Sequence, residues 1–139
     1  MSENTQHQHL KTFVDILKAS VDNGNLDAVD ALVAEDIVVK SPRHERPFTG
    51  KRHAQTILRA LCHVMPDFGY HRSWFQGNEA VVEFKGTLDE QPVQGVDVFT
   101  LDNNGQLIGI EVFVKLTEGF TQMAKREDAF IRQALTAKT

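Results

Sequence analysis

The stretch Val93-Gln-Gly-Val-Asp97-Val-Phe-Thr-Leu101, then Asp102-Asn-Asn-Gly105, then Leu107-Ile-Gly-Ile-Glu-Val-Phe-Val-Lys-Leu116, decides the fold. In the first segment Val93, Gly95, Asp97, Phe99 and Leu101 alternate with a set that includes Val96 and Val98. Both sets are largely apolar, which predicts a central strand covered on both faces. Asp102–Gly105 is turn chemistry, so the two apolar runs pair as a hairpin. Working outward, the same period predicts strands over Phe68–Phe75 and Glu79–Thr87. Gln76-Gly-Asn78 and Asp89-Glu-Gln-Pro92 break the chain between strands. Consecutive strands joined by short turns make an antiparallel sheet.

The preceding half is mostly helical. Residues 1–8 are polar and are expected to be loose. Leu10, Phe13, Val14, Leu17 and Val21 then recur at helical spacing, and Asn23-Gly24 supplies a stop. Asn25 caps a second short helix with the stripe Leu26, Val29, Leu32 and Val33. Ile37-Val38-Val39 reads as a short strand ending at Ser41-Pro42, and residues 42–50 as a loop. A third helix over Lys51–Met65 carries Ala54, Ile57, Leu58, Leu61 and Met65 on one face. A closing helix over Glu118–Ala137 carries Phe120, Met123, Phe130, Ile131 and Leu135. This is an α+β pattern: a flexible N-terminus over residues 1–9 and one domain over 10–137. Three helices closing one face of a curved sheet leave an apolar cavity between the layers.

At 139 residues, 41% hydrophobic and 24% charged, the chain has the composition of one globular domain. The formal charge of -4 argues against a nucleic-acid partner. No apolar run is long enough to cross a bilayer, and the N-terminus lacks an apolar signal core. The single cysteine, Cys62, precludes an internal disulfide, so a cytoplasmic setting is expected.

Asp97 is the residue where chemistry is expected. The turn after Leu101 allows three registers. A four-residue loop pairs Asp97 with Ile110, a two-residue Asn104-Gly105 turn pairs it with Val112, and a three-residue loop sets it near Glu111. Among aliphatic neighbours its pKa is raised, because desolvation disfavours the charged form. It then suits acid–base work, or else it is a buried aspartate fixing a backbone or tyrosine hydrogen bond.

Four segments occur in order: Gly24-Asn-Leu-Asp-Ala-Val-Asp-Ala-Leu-Val-Ala-Glu-Asp36, Ser41-Pro42 with Arg46-Pro-Phe-Thr-Gly50, Pro66-Asp-Phe68, and Gly95-Val-Asp-Val-Phe-Thr-Leu-Asp-Asn-Asn-Gly-Gln-Leu-Ile108. Together they resemble the nuclear-transport-factor-2-like superfamily, specifically its SnoaL-like branch of ketosteroid isomerase and polyketide cyclase relatives, from about Leu10 to Leu116. The resemblance implies a cone-shaped α+β barrel, usually a homodimer packed through the outer sheet face. Ketosteroid isomerases place a proton-shuttling aspartate where this chain has Ser41, an oxyanion-binding tyrosine near Leu17, and a second, protonated aspartate at Asp97. The charged triad of limonene epoxide hydrolases falls near Ala80, Val82 and Val112, which are apolar. SnoaL-type cyclases lean on a single acid–base aspartate, which Asp97 approximates. The same carry-over puts Leu17, Val33, Ser41, Ile57, Leu58, Val82, Phe84, Phe99, Ile110, Val112 and Val114 on the cavity wall.

The function this implies is binding of a small hydrophobic organic molecule. The chain is then either a cofactor-free isomerase, cyclase or lyase with Asp97 as the acid–base group, or a non-catalytic ligand-binding or dimerisation module with a structural Asp97. No cofactor, metal, nucleic-acid or membrane partner is expected. The six histidines show no metal-ligand spacing. Cys62 reads as buried rather than nucleophilic. Lys40, Arg43, His44, Arg46, Lys51, Arg52 and His53 form a local basic cluster that reads either as an anion-holding loop or as a solvated face.

Val81, Glu83, Val96, Val98 and Phe113 are expected on the outer sheet face, where a second copy would cover them. Sedimentation at micromolar concentration should then report twice the 15.6 kDa chain mass. A clean monomer there would contradict the expected homodimer.

Overall fold

The computed structural model describes residues 3–115 and 117–136. Helix α1 spans Glu3–Asn23, α2 Asp27–Asp30, strand β1 Val33–Lys40, β2 Phe48–Thr49 and α3 Lys51–Val64. Strands β3 Gly69–Gln76, β4 Glu79–Leu88, β5 Gln91–Leu101 and β6 Leu107–Val114 follow, and α4 covers Glu118–Thr136. The six strands form one curved sheet in the order β2-β1-β6-β5-β4-β3.

Helix α1 starts at Glu3, so most of the polar stretch expected to be loose is helical. Its end is a glycine cap. Gly24 takes φ +74°, its amide donates to the Val21 carbonyl, and the Asn25 amide donates to the Ser20 carbonyl. Asn25 does accept from the Asp27 amide at 3.0 Å. The helix it opens is nevertheless only four residues long. The Leu32 carbonyl accepts from the Leu107 amide at 2.7 Å, and Val33 pairs with Leu107. Sheet pairing therefore captures the second half of the expected helix, and Val33 belongs to β1.

The sheet is mixed rather than wholly antiparallel. Hairpins join β3 to β4, β4 to β5 and β5 to β6, but β1 runs parallel to β6, reached through α3 and four strands. The β4–β5 ladder is unbroken from Glu79↔Thr100 to Leu88↔Gln91. In the next hairpin Asp97 pairs with Val112, one of the expected registers, by a different route. Residues 102–106 form a five-residue loop, and a bulge between Thr100 and Leu101 restores the offset. Asp102 holds that loop, its Oδ1 accepting from the amides of Asn104 (2.8 Å) and Gln106 (2.9 Å).

The core lies between α1–α3 and the concave sheet face. Leu10, Phe13, Leu17, Ile37, Val82 and Phe99 are all buried there. The Phe13 and Phe99 rings meet edge-on at 5.1 Å. Along β5, Val93, Asp97, Phe99 and Leu101 point inward, while Val96 and Val98 are half-buried on the outer face. That outer face also carries the exposed Trp74 and Phe113 and the buried Glu83. The Arg72 guanidinium grips Glu83 at 2.7 and 3.0 Å and holds its carboxyl well below the usual range. Helix α4 packs on α3, β4 and β5. Its first turn is fixed by Thr117, whose Oγ1 accepts from the Phe120 amide and donates to the Pro92 carbonyl, both at 3.2 Å.

Gly95 is required by close approach. A Cβ there would collide with the Phe113 carbonyl oxygen and stand 2.7 Å from Cζ of Phe84, the residue paired with it. Gly95→Ala is expected to cost about 3 kcal/mol by overpacking, read from the urea midpoint. An unchanged midpoint would show that β6 and Phe84 yield without cost.

Candidate active site

Two strands build the polar centre. β5 presents Asp97 between Val82 on β4 and Val112 on β6. β3 presents Tyr70 opposite Phe84, next to an irregularity in the β3–β4 pairing. The Tyr70 ring lies between Phe68 and Phe99, at centroid distances of 5.3 and 6.0 Å. From there it reaches across β4, and its hydroxyl donates to Asp97 Oδ2 at 2.7 Å. Asp97 is 4% exposed and Tyr70 7%.

Burial dominates the electrostatics of this pair. It pushes the Asp97 carboxyl up to about 7, against the Tyr70 hydrogen bond, which pulls the other way, and the charge of Glu127 adds to the rise. The Tyr70 hydroxyl moves well above its ordinary value, first through burial and then through Asp97 itself. Near neutral pH the carboxyl can therefore be populated in both forms, accepting or donating a proton at Oδ1 while Oδ2 is held.

Asp97 and Tyr70 line a small inner chamber of about 50 Å³, walled by Phe13, Leu17, Leu58 and Phe99 among others. It shares Val39, Ile57, Leu61 and Val112 with an outer cavity of about 280 Å³. Phe120, Met123 and Ile131 of α4 form one apolar side of that cavity, and Phe84 and Val114 of the sheet form another. Ser41, Arg43, His44, His53 and Glu127 form its polar rim. Arg43 ties the rim together, with Nη2 on Glu127 Oε1 at 2.8 Å and Nη1 on Asp128 Oδ1 at 2.7 Å. Glu127 is buried, and burial raises its carboxyl while Arg43 opposes. Phe48 stacks on His53 at 4.4 Å and meets His44 at 4.8 Å, and burial lowers the His53 imidazole.

Of the wall residues carried over by resemblance, Leu17, Val33, Leu58, Phe99 and Ile110 line the inner chamber. Ser41, Phe84 and Val114 line the outer one, and Ile57 and Val112 line both. Val82 lines neither; it is fully buried beneath the Asp97 strand pair. The basic cluster divides. Arg43, His44 and His53 face the outer cavity, while Lys40, Arg46 and Arg52 are exposed. A cationic side chain, Arg43, thus reaches the wall of the outer cavity. Cys62 is half-buried and its thiol is pushed up. No group of three or more potential metal ligands occurs among the described residues.

The sequence left a tyrosine hydrogen bond open as one role of Asp97 without assigning Tyr70 to the site, and Glu127 was missed. Tyr70 is the chain's only tyrosine, but its partner lies 27 residues away, so nothing local marks the pair. Glu127 did carry a signal: it falls on the apolar stripe of α4, between Met123 and Phe130-Ile131, where a carboxylate is out of place.

Comparison with known proteins fits this architecture. The sequence pattern of the SnoaL-like domain matches residues 13–110, well over half of the chain, so the protein belongs to the SnoaL-like family of the nuclear-transport-factor-2-like superfamily. Its fold is similar to a steroid delta-isomerase from Pseudomonas aeruginosa, with TM-score 0.81 and 24% identity over 96% of each chain. It is also similar to a protein from Jannaschia sp. CCS1 described as a SnoaL-like polyketide cyclase, with TM-score 0.65 and 16% identity over 83% of this chain and 90% of that one. An uncharacterised cystatin-like-fold protein from Silicibacter pomeroyi matches with TM-score 0.75 and 24% identity, over 84% and 83% of the two chains. No curated protein sequence matches.

The raised Asp97 carboxyl has a signed consequence. Its folded pKa of about 7 exceeds the ordinary 3.8, so the folded state binds the extra proton and stability falls as pH rises between those values. The loss is about 1.4 kcal/mol per pH unit, roughly 4 kcal/mol in all, and is complete above neutrality. Asp97→Asn is therefore expected to unfold like the parent near pH 4, to be increasingly more stable towards pH 7, and to keep that gap beyond. Tyr70→Phe removes the one bond that lowers Asp97, so its ¹³C-detected titration should move higher still. A pH-independent gap between Asp97→Asn and the parent would refute the assignment.

Proposed function

We propose that the protein binds a small hydrophobic carbonyl compound in the paired cavities and moves a proton on it, as a cofactor-free isomerase, cyclase or lyase. The observation that carries this reading is the Tyr70–Asp97 hydrogen bond at the end of an apolar chamber. The inner chamber is large enough for a carbonyl or hydroxyl group and little more. The outer cavity, near the lower edge of the roughly 300–1,000 Å³ typical of small-molecule sites, suits a one- or two-ring body. The ligand's oxygen would meet Asp97 Oδ1, with Tyr70 fixing the carboxyl's orientation and its rings packed against Phe84, Val112 and Met123. The isomerase and cyclase described among the similar folds support a reaction of this class. The proposed setting is the cytoplasm, where Cys62 stays a thiol; no helix among the described residues is long and apolar enough to cross a membrane.

The test uses 2-tetralone as probe. Its binding is followed by protein NMR, and its α-proton exchange with D₂O by loss of the proton signal. Saturable shifts in Leu17, Leu58 and Phe99 are expected, with exchange above the buffer rate. Asp97→Asn should slow that exchange about 10²-fold or more. Binding with exchange at the buffer rate would favour the second reading, a non-catalytic ligand-binding module in which Asp97 is structural. That reading draws on the fact that Tyr70 already satisfies one Asp97 oxygen.

A further inference from the structure

The rim of the outer cavity holds a second buried carboxyl, and its geometry is that of a working group. Glu127 comes from α4, which lies beyond the residues 13–110 that define the family. It lines the same cavity as Phe84, Val112 and Met123. Arg43 occupies only Oε1, and among the described residues Oε2 takes no hydrogen bond. Arg43 is itself anchored on the other side by Asp128, so the guanidinium fixes the Glu127 carboxyl in one orientation. Asp97 lies across the shared wall, with its own fixed oxygen on Tyr70. Two carboxyls held by different donors, each with one oxygen free of protein hydrogen bonds among the described residues, thus line two adjoining cavities that share Val39, Ile57, Leu61 and Val112.

We infer that Glu127 is a second catalytic carboxyl, the base that takes a proton from carbon while Asp97 serves the oxygen of the same ligand. This rests on the reading of the cavity as a proton-transfer site for a hydrophobic carbonyl compound. Oε2 of the Glu127 carboxylate removes a proton from the carbon α to the carbonyl, and the C–H electron pair becomes the C=C bond of an enol. The carbonyl π pair moves onto oxygen, which takes the proton of Asp97. In the return step the enol oxygen gives its proton back to Asp97, the C=C pair re-forms a C–H bond with the proton on Glu127, and both carboxyls recover their starting states. With a vinylogous ligand the returned proton lands on a different carbon, and the net result is movement of a double bond. No co-reactant is needed.

The electrostatics agree. The Glu127 charge helps keep Asp97 protonated, so the pair favours one proton held at the oxygen end and one negative charge at the carbon end. The other titratable and charged groups at this rim are Arg43 and His44 from the loop, His53 from α3, and Asp128 and Arg132 from α4.

The test is 2-tetralone exchange in D₂O with the full chain, using the parent, Asp97→Asn, Glu127→Gln and Glu127→Asp. Glu127→Gln keeps an oxygen for Arg43 and is expected to lower the exchange rate about 10²-fold with the Kd for 2-tetralone within two-fold of the parent. It should also lose the acidic limb of the pH–rate profile, which a structural role or titration of His53 would leave in place. Glu127→Asp, which restores the carboxylate and the Arg43 contact, is expected to regain at least ten-fold over the Gln variant. Full exchange by Glu127→Gln together with slow exchange by Asp97→Asn would overturn the Glu127 assignment and leave the Asp97 reading standing. If Glu127→Gln undocks α4, seen as lost amide protection at Met123, the Asp variant decides, and no recovery there overturns the assignment. Exchange by the parent at the buffer rate would overturn both.

Discussion

The ten consecutive pairs joining β4 to β5 set the side on which every other feature lies. Side chains in a strand alternate, so a slip of one residue would turn Asp97 to the outer face and bring Val96 and Val98 into the core. Three contacts resist such a slip. Gly95 leaves room for the Phe84 ring and for the β6 backbone. The bulge at Thr100–Leu101 absorbs the odd residue of the following loop. Tyr70 reaches from the next strand but one and closes on the inward carboxyl. Register, ring packing and the buried Tyr70–Asp97 hydrogen bond thus depend on the same ladder.

How much of this was legible depends on the range over which each signal acts. Asp97 could be read because alternation is local: a charged residue stands in a strand whose neighbours are apolar on both faces. The α1 stripe and its Gly24 stop were legible for the same reason. The short α2 was not, because the Leu32 carbonyl is taken by Leu107, 75 residues away, and a long-range pairing overrode the helical spacing around Val33. The parallel β1–β6 contact has that same origin. Of the wall residues named by resemblance, all but Val82 lie along one of the two cavities; Val82 is fully buried and lines neither. Tyr70 and the Arg43–Glu127 pair were not assigned, because each depends on a partner from a distant element. The carboxylate on the α4 stripe was visible in the spacing but was passed over.

The site also divides by chemistry. Strands supply the pair whose proton is poised near neutrality, and their backbone is fixed by a continuous ladder. The loop after β1 and the closing helix supply the charged rim, joined by side chains alone. A rigid sheet suits a group whose pKa depends on exclusion of water, since a small change in packing would let solvent reach the carboxyl. At the rim burial also raises Glu127, but there Arg43 supplies an opposing charge that Asp97 lacks.

Glu127 and Asp128 are neighbours on a helix, about 100° apart around its axis, yet both grasp the one guanidinium of Arg43. That clasp joins the loop after β1 to α4 at the cavity mouth. Residues 41–47 and the exposed face of α4 lie outside the β4–β5 ladder, so their length can change without disturbing the register that holds Asp97. For an engineer, ligand size and head-group are therefore set at the mouth, while any change to the charge of Glu127 also moves the acidity of Asp97 in the sheet.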